Sequence, residues 1–289
     1  MTVVFVHGLP ETSEVWTPLR KALDRDTVAL ALPGFGTARP DGFTGTKDAY
    51  AKWLGETLSR VDQPVDVVGH DIGALLTMRV ASAFDVPLRS WVVDVANIFH
   101  PRFTWPERVH KLQTQGVGEE MLKTSREADP DDPKSTTSRL VRAGVPRDLA
   151  RVIGRAHDEV MSRSILDFYR SAVPNVSAGR WKDIKAPTQS RGLALLLPDP
   201  AEDEAMSMEV AERLGGGDRP SRRPESLLDG RGAEGRGSCL TAGLVLARLG
   251  SMVSLLACQR DSLLNPRPRP KRLYQRRSHL TRLQTLKVL

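Results

Sequence analysis

Along the first hundred residues, short apolar runs alternate with segments of helical spacing. Val3-Val4-Phe5-Val6 is apolar at every position, the pattern of a strand buried on both faces. Further strand-like runs follow at Thr27 to Leu32, Val65 to Val68 and Ser90 to Val95. Between them lie helical stretches: Val15 to Leu23, Lys47 to Val61 with Tyr50, Trp53, Leu54 and Leu58 on one face, and Ala74 to about Phe84. Strand and helix in alternation predict an α/β fold, a parallel sheet with helices on both sides.

After residue 98 the strand signals stop. Helical segments succeed one another at Glu107 to Ser125, Ser138 to Ala143, Asp148 to His157 and Glu159 to Ala172. Residues 99–185 therefore read as a helical cap inserted into a sheet domain made of residues 1–98 and 186–214. Strand character returns at Gly192 to Leu197, and a helix follows from about Glu204 to Leu214. Beyond Leu214 no period survives. Residues 215–238 are rich in Gly, Arg, Pro and Ser, and residues 265–289 carry Pro266-Arg267-Pro268-Arg269-Pro270-Lys271-Arg272. Residues 215–289 read as an atypical basic tail, either disordered or translated out of frame. Leu240 to Ala257 is apolar but holds Arg248 near its middle, a penalty of roughly 2.5–3.5 kcal/mol that argues against a membrane span.

Charge adds little to this picture once it is located. The net +7 of the 289 residues is concentrated in residues 215–289, which hold 15 Lys/Arg against 5 Asp/Glu, and residues 1–214 are left at −3. No aromatics are interleaved with the basic tail beyond Tyr274, so no nucleic-acid partner is expected. Two cysteines and no signal-peptide pattern at residues 1–15 point to a cytoplasmic protein. The oligomeric state is left open.

The chemistry concentrates in two loops. Val65-Asp66-Val67-Val68 runs into Gly69-His70-Asp71-Ile72-Gly73 and then a helix, the strand–turn–helix context of a nucleophile elbow with aspartate in place of serine. The bland alternative is a helix-capping aspartate. Val3–Val6 runs into His7-Gly8-Leu9-Pro10, a loop placed to give one backbone N–H to an oxyanion hole, the other coming from the residue after the nucleophile. The donors would be Leu9 and Ile72. His7 and His70 are read as loop-shaping residues, neither of them the catalytic base.

With Pro33-Gly34-Phe35-Gly36 added to these two loops, the chain resembles the epoxide hydrolase and haloalkane dehalogenase branch of the α/β-hydrolases over about residues 3–214. The His-Gly loop comes early, so two opening strands common in that fold are expected to be absent. The resemblance implies that Asp71 attacks a saturated carbon to give an alkyl-enzyme ester. A histidine-activated water then cleaves that ester. It also implies an orienting acid after the strand at 192–197, for which Asp199 fits and Asp203 is the fallback. Dehalogenases of this branch hold halide with a Trp after the nucleophile and often an Asn in the His-Gly loop, whereas Ile72 and Leu9 stand here. Epoxide hydrolases instead protonate the leaving oxygen from cap tyrosines, and Tyr169 is the candidate, with His100 or His157 as a second donor. The bland alternative for Tyr169 is a ring packed between helices.

The resemblance therefore implies an epoxide hydrolase-like enzyme acting on a small apolar molecule, with no metal or organic cofactor. The alternatives are a dehalogenase-like hydrolase and a non-catalytic binding protein of the same fold. One part is missing: no histidine lies between residues 201 and 278, and His279 sits in a basic run too late for the catalytic base. Any activity is expected to be weak or to stop after one turnover.

Overall fold

The computed structural model describes residues 2–62, 64–177, 190–194 and 201–215. Among these, five parallel strands form one sheet in the order β2-β1-β3-β4-β5: β1 Val3–Val6, β2 Thr27–Leu30, β3 Val65–Gly69, β4 Leu88–Val93 and β5 Arg191–Ala194. β1 lies inside the sheet, and all four of its side chains are buried. Alternation along the strand explains why four apolar residues are needed. Val4 and Val6 face one core with Val65, Val67, Trp91 and Val93, while Val3 and Phe5 face another with Val68 and Val92.

Helices cover both faces, as the alternating pattern predicts. Helix α1 (Thr17–Ala22), entered through the 3-10 turn Ser13–Trp16, sends Trp16 and Leu19 into the Val3/Phe5 side. Helices α2 (Lys47–Leu58) and α3 (Ile72–Ala83) pack together over the other face. Among the described residues between β4 and β5, five helices follow one another: α4 (Glu107–Gln113), α5 (Val117–Glu127), α6 (Thr136–Arg142), α7 (Arg147–Arg155) and α8 (Glu159–Ser171). This insertion straddles the sheet domain. Met161, Ile165 and Phe168 of α8 join the core shared with α2 and α3, whereas Ala150 and Ile153 of α7 join the core around Trp16. Helix α9 (Ala201–Gly215) closes against β5 and the short turn Ala96–Phe99.

Several boundaries differ from the sequence reading, and three of the differences have a visible reason. β2 stops at Leu30 rather than Leu32, because the Leu32 amide turns to donate to His7 Nε2 at 3.1 Å. β4 stops at Val93, because Asp94 leaves the ladder to bind the turn after β3. The expected long helix from Glu107 to Ser125 is two helices, separated where Thr114 turns extended and Gly116 takes a φ of 80°.

Candidate active site

Parallel strands deliver their carboxyl ends to one edge of a sheet, where α/β folds place ligands. Register decides which residues meet there. Val6 lies opposite Gly69, and Gly69 lies opposite Val93. The residues that follow these three, His7 to Leu9, His70 to Ile72, and Asp94, are therefore brought side by side.

Asp71 stands at the turn between β3 and α3 with φ 50° and ψ −120°, the one non-glycine positive φ among the described residues. Such a conformation stores on the order of 1–3 kcal/mol and persists only where the surroundings fix it. Here the Asp71 amide donates to Asp94 Oδ1 at 3.1 Å, its carbonyl accepts the Ala74 and Leu75 amides at 3.0 and 3.2 Å, and the His70 amide donates to the Val6 carbonyl at 3.0 Å. Glycine is required on both flanks. A Cβ on Gly69 would lie 2.5 Å from the Gly73 carbonyl oxygen, and one on Gly73 would lie 2.3 Å from the Val6 carbonyl oxygen.

The Asp71 side chain makes no capping bond to α3. It turns instead toward the loop after β1, where the Leu9 amide donates to Oδ2 at 3.0 Å. Gly8 permits this approach: a Cβ there would lie 2.5 Å from Asp71 Cβ. Burial raises the Asp71 carboxyl from its ordinary range to about 6, against the opposing pull of the nearby His70 charge and the Leu9 and Ile72 amides. Of the two amides expected as oxyanion donors, that of Leu9 is thus hydrogen-bonded to the Asp71 carboxylate.

Two residues passed over in the sequence complete the cluster. Glu11, buried, accepts the Gly8 amide at 2.9 Å and faces His70 Nε2 across 3.3 Å. Asp94, also buried, is hydrogen-bonded through Oδ2 to His70 Nδ1. The His70 ring therefore sits between two carboxylates, edge-on to Trp16 at 6.3 Å. Burial alone would lower its pKa, but the Asp94 and Glu11 charges and hydrogen bonds outweigh it and hold the ring well above its ordinary value. Glu11 is pulled the other way: burial raises it, and the charge and hydrogen bond of His70 more than reverse that. With both nitrogens engaged, His70 is not free to deprotonate a water. Asp94 had a signal in the sequence, a lone carboxylate in the apolar run Trp91-Val92-Val93-Asp94-Val95. Glu11 had only its proximity to the His-Gly loop.

His7 behaves as a loop-shaping residue. Its Nδ1 donates to the Gly8 carbonyl at 2.8 Å while Nε2 accepts from Leu32, and burial lowers its pKa to about 4, so it is neutral. Tyr169, on α8, is buried edge-on against Trp105 at 5.4 Å and Phe168 at 5.6 Å. His100 donates from Nε2 to Glu209 at 2.8 Å and accepts the Arg102 amide at Nδ1, tying the β4 side to α9. His157 is bonded to Thr136 and Ser162. Both are thus committed to packing contacts. Asp203 lies in the first turns of α9, part-exposed. Asp199 and His279 lie outside the described residues. Among the described residues, no group of three or more His, Cys, Asp or Glu side chains is arranged to hold a metal ion, and no helix is long and apolar enough to cross a membrane.

Comparison with known proteins agrees with this architecture. In structure the chain is similar to a candidate epoxide hydrolase from Pseudomonas aeruginosa, with TM-score 0.63, 19% identity, and coverage of 91% of this chain and 90% of that one. It is similar to a loop variant of a haloalkane dehalogenase from Bradyrhizobium elkanii, with TM-score 0.62, 16% identity and coverage of 91% and 90%. It is also similar to MenH from S. aureus, with TM-score 0.58, 15% identity and coverage of 90% and 94%. At these identities the likeness is one of fold. None of the curated proteins matches the chain in sequence. The model of the alpha/beta hydrolase family matches residues 3–242, and the chain belongs to that family.

Proposed function

We propose that the protein is a hydrolase with an aspartate nucleophile, epoxide hydrolase-like in its first chemical step, acting on a small apolar substrate. The observation that carries this reading is Asp71 itself: a carboxylate on a strained strand-to-helix turn, not spent on capping, with the Leu9 amide 3.0 Å from its oxygen. An Asp71 oxygen attacks a ring carbon of the epoxide as the carbon–oxygen bond opens. The freed oxygen takes a proton from the Tyr169 hydroxyl, leaving a hydroxyalkyl ester on Asp71. Water then adds to the ester carbonyl, whose oxyanion is held by the Leu9 and Ile72 amides. Residues 99–185 serve as the cap over the substrate, and Asp199 is the acid that would orient a base. Neither Ile72 nor Leu9 offers a halide a side-chain donor, which favours an epoxide over a haloalkane.

The proton budget of the second step lacks a base: His70 is held by Glu11 and Asp94, and no histidine lies between residues 201 and 278. The ester therefore accumulates. Incubation with styrene oxide followed by intact-mass analysis tests this. One adduct per chain, mapped to Asp71 and absent in Asp71→Asn, is the expected result. Diol release over many turnovers would refute the stalled second step, and an unmodified Asp71 would refute the nucleophile.

A further inference from the structure

The loops after three parallel strands gather four ionisable side chains at the elbow, and only Asp71 has a role in the reaction described above. The other three form a chain. Glu11 reaches His70 Nε2 at 3.3 Å, and His70 Nδ1 is bonded to Asp94. The far carboxylate oxygens are also occupied: Glu11 Oε2 by the Gly8 amide at 2.9 Å and Asp94 Oδ1 by the Asp71 amide at 3.1 Å. The chain is thus closed at both ends on the backbone of the two loops that build the site. One end fixes the loop that carries the Leu9 amide, and the other fixes the strained peptide of the nucleophile.

We propose that Glu11, His70 and Asp94 act as one positioning unit for Asp71: a charged imidazolium clamped from both nitrogens by buried carboxylates that lock the oxyanion loop to the elbow and set a fixed cation beside the nucleophile. This rests on Asp71 being the nucleophile. A neutral imidazole in this place would carry one proton and could donate to only one of its two flanking carboxylates, leaving the other buried acceptor unpaired. The doubly protonated ring donates to both. The groups that face His70 are Asp94 at the end of β4, Glu11 and His7 in the loop after β1, Asp71 beside it, and the edge of Trp16. Two buried carboxylates against one cation, with His7 neutral, keep the ring charged through neutrality. In turn, the cation counters the burial that raises the Asp71 carboxyl to about 6. Asp71 is then ionised, and so nucleophilic, at pH 7.

The experiment combines two readouts on the full chain. Nitrogen-15 NMR of the imidazole rings reports protonation of His70, assigned by its loss in His70→Gln. Intact-mass kinetics of Asp71 esterification by styrene oxide reports nucleophile reactivity against pH. In the wild type, both His70 nitrogens are expected to be protonated at pH 7. In Asp94→Asn the ring is expected to lose its second proton at lower pH than in the wild type, and esterification at pH 7 to slow by about tenfold or more. In His70→Gln the pH at half-maximal esterification is expected to move upward by about one unit, as loss of a neighbouring cation requires. Asp94→Glu, which keeps the charge, is expected to retain the protonated ring, and His70→Gln carries the kinetic test if Asp94→Asn does not fold. A neutral His70 at pH 7 in the wild type overturns the proposal. So does an esterification profile in folded Asp94→Asn or His70→Gln that matches the wild type. If wild-type Asp71 is never esterified, the nucleophile reading fails, and the His70 titration decides the clamp by itself.

Discussion

The elbow and the helical insertion each bury a histidine with both ring nitrogens engaged, and they treat it in opposite ways. At the elbow, His70 lies between Glu11 and Asp94 and is held charged. In the insertion, His157 lies between the hydroxyls of Thr136 at 2.6 Å and Ser162 at 3.0 Å. Burial lowers its pKa to about 4, and the charges of Arg139, Arg126 and Arg108 push it the same way. Hydroxyls can donate or accept, so a neutral ring satisfies them, whereas two carboxylates accept only and call for a second proton. The difference separates a polar cluster that joins helices from one that sets charge beside the Asp71 carboxylate.

The two regions should therefore break differently. The largest effect is expected at the elbow, where Gly73→Ala puts a Cβ 2.3 Å from one backbone oxygen and 2.6 Å from a second. Neither can yield without moving β1, so the loss in urea unfolding should exceed about 3 kcal/mol. A loss under 1 kcal/mol would mean the elbow is looser than its contacts imply. Next comes acid. His157 has a folded pKa near 4 against an ordinary 6.5, so the unfolded chain binds that proton first as pH falls. The stability tied to its neutral form is complete above pH 6.5 and is lost on the way down to pH 4, on the order of 3 kcal/mol. His7, lowered to about 4 by burial, adds to the same slope. His157→Gln should flatten the slope of stability against pH in that window, and an unchanged slope would show the ring to be solvated. His70 has the reverse sign, since its raised pKa contributes stability that is full below pH 6.5 and is lost only as pH rises through the folded value.

How much of this could be read from the sequence follows the same division. The strands were legible because burial on both faces demands apolar runs, unbroken in Val3–Val6 and interrupted in Val65–Val68 only at the part-buried Asp66. The elbow was legible because its turn needs Gly69 and Gly73 at fixed offsets from Asp71. Glu11 and Asp94 were not, because their partnership with His70 depends on the register of three strands, and pairing is a property of the sheet rather than of any one segment. In the insertion the helices were legible, but the break at Gly116 was missed. Charged and apolar positions keep helical spacing across it, and the positive φ leaves no trace except the glycine itself. Tyr169 shows a different limit. A tyrosine wedged beside Trp105 and Phe168 satisfies packing whether or not its hydroxyl has a further task.

Gly116 also gives a milder counterpart to Gly73. A Cβ there would meet nothing within 4 Å, so Gly116→Ala has only the positive φ of 80° to oppose it, a strain of about 1–2 kcal/mol. Measured side by side, the two alanines separate steric exclusion at the elbow from backbone preference in the insertion. Equal losses would erase the distinction.

The smallest effect is expected where the two regions touch. Arg39, in the loop after β2, donates to Asp167 of α8 at 2.7 Å and to the Phe43 carbonyl at 2.7 Å, beside Gly45, whose Cβ would lie 2.9 Å from Asp167 Cβ. The pair is only partly buried, with side-chain exposures of 15% and 34%, so solvent screening takes much of its Coulomb energy. Arg39→Gln should cost about 1 kcal/mol or less in global stability. Its informative consequence is local: amide exchange in α8 should quicken while the amides of Leu9 and Asp71 keep their protection, because the elbow is tied to the sheet through Asp94 and Val6 rather than through the insertion. If the elbow amides loosen together with α8, the two regions form one cooperative unit, and the contrast between their histidines reflects local partners alone.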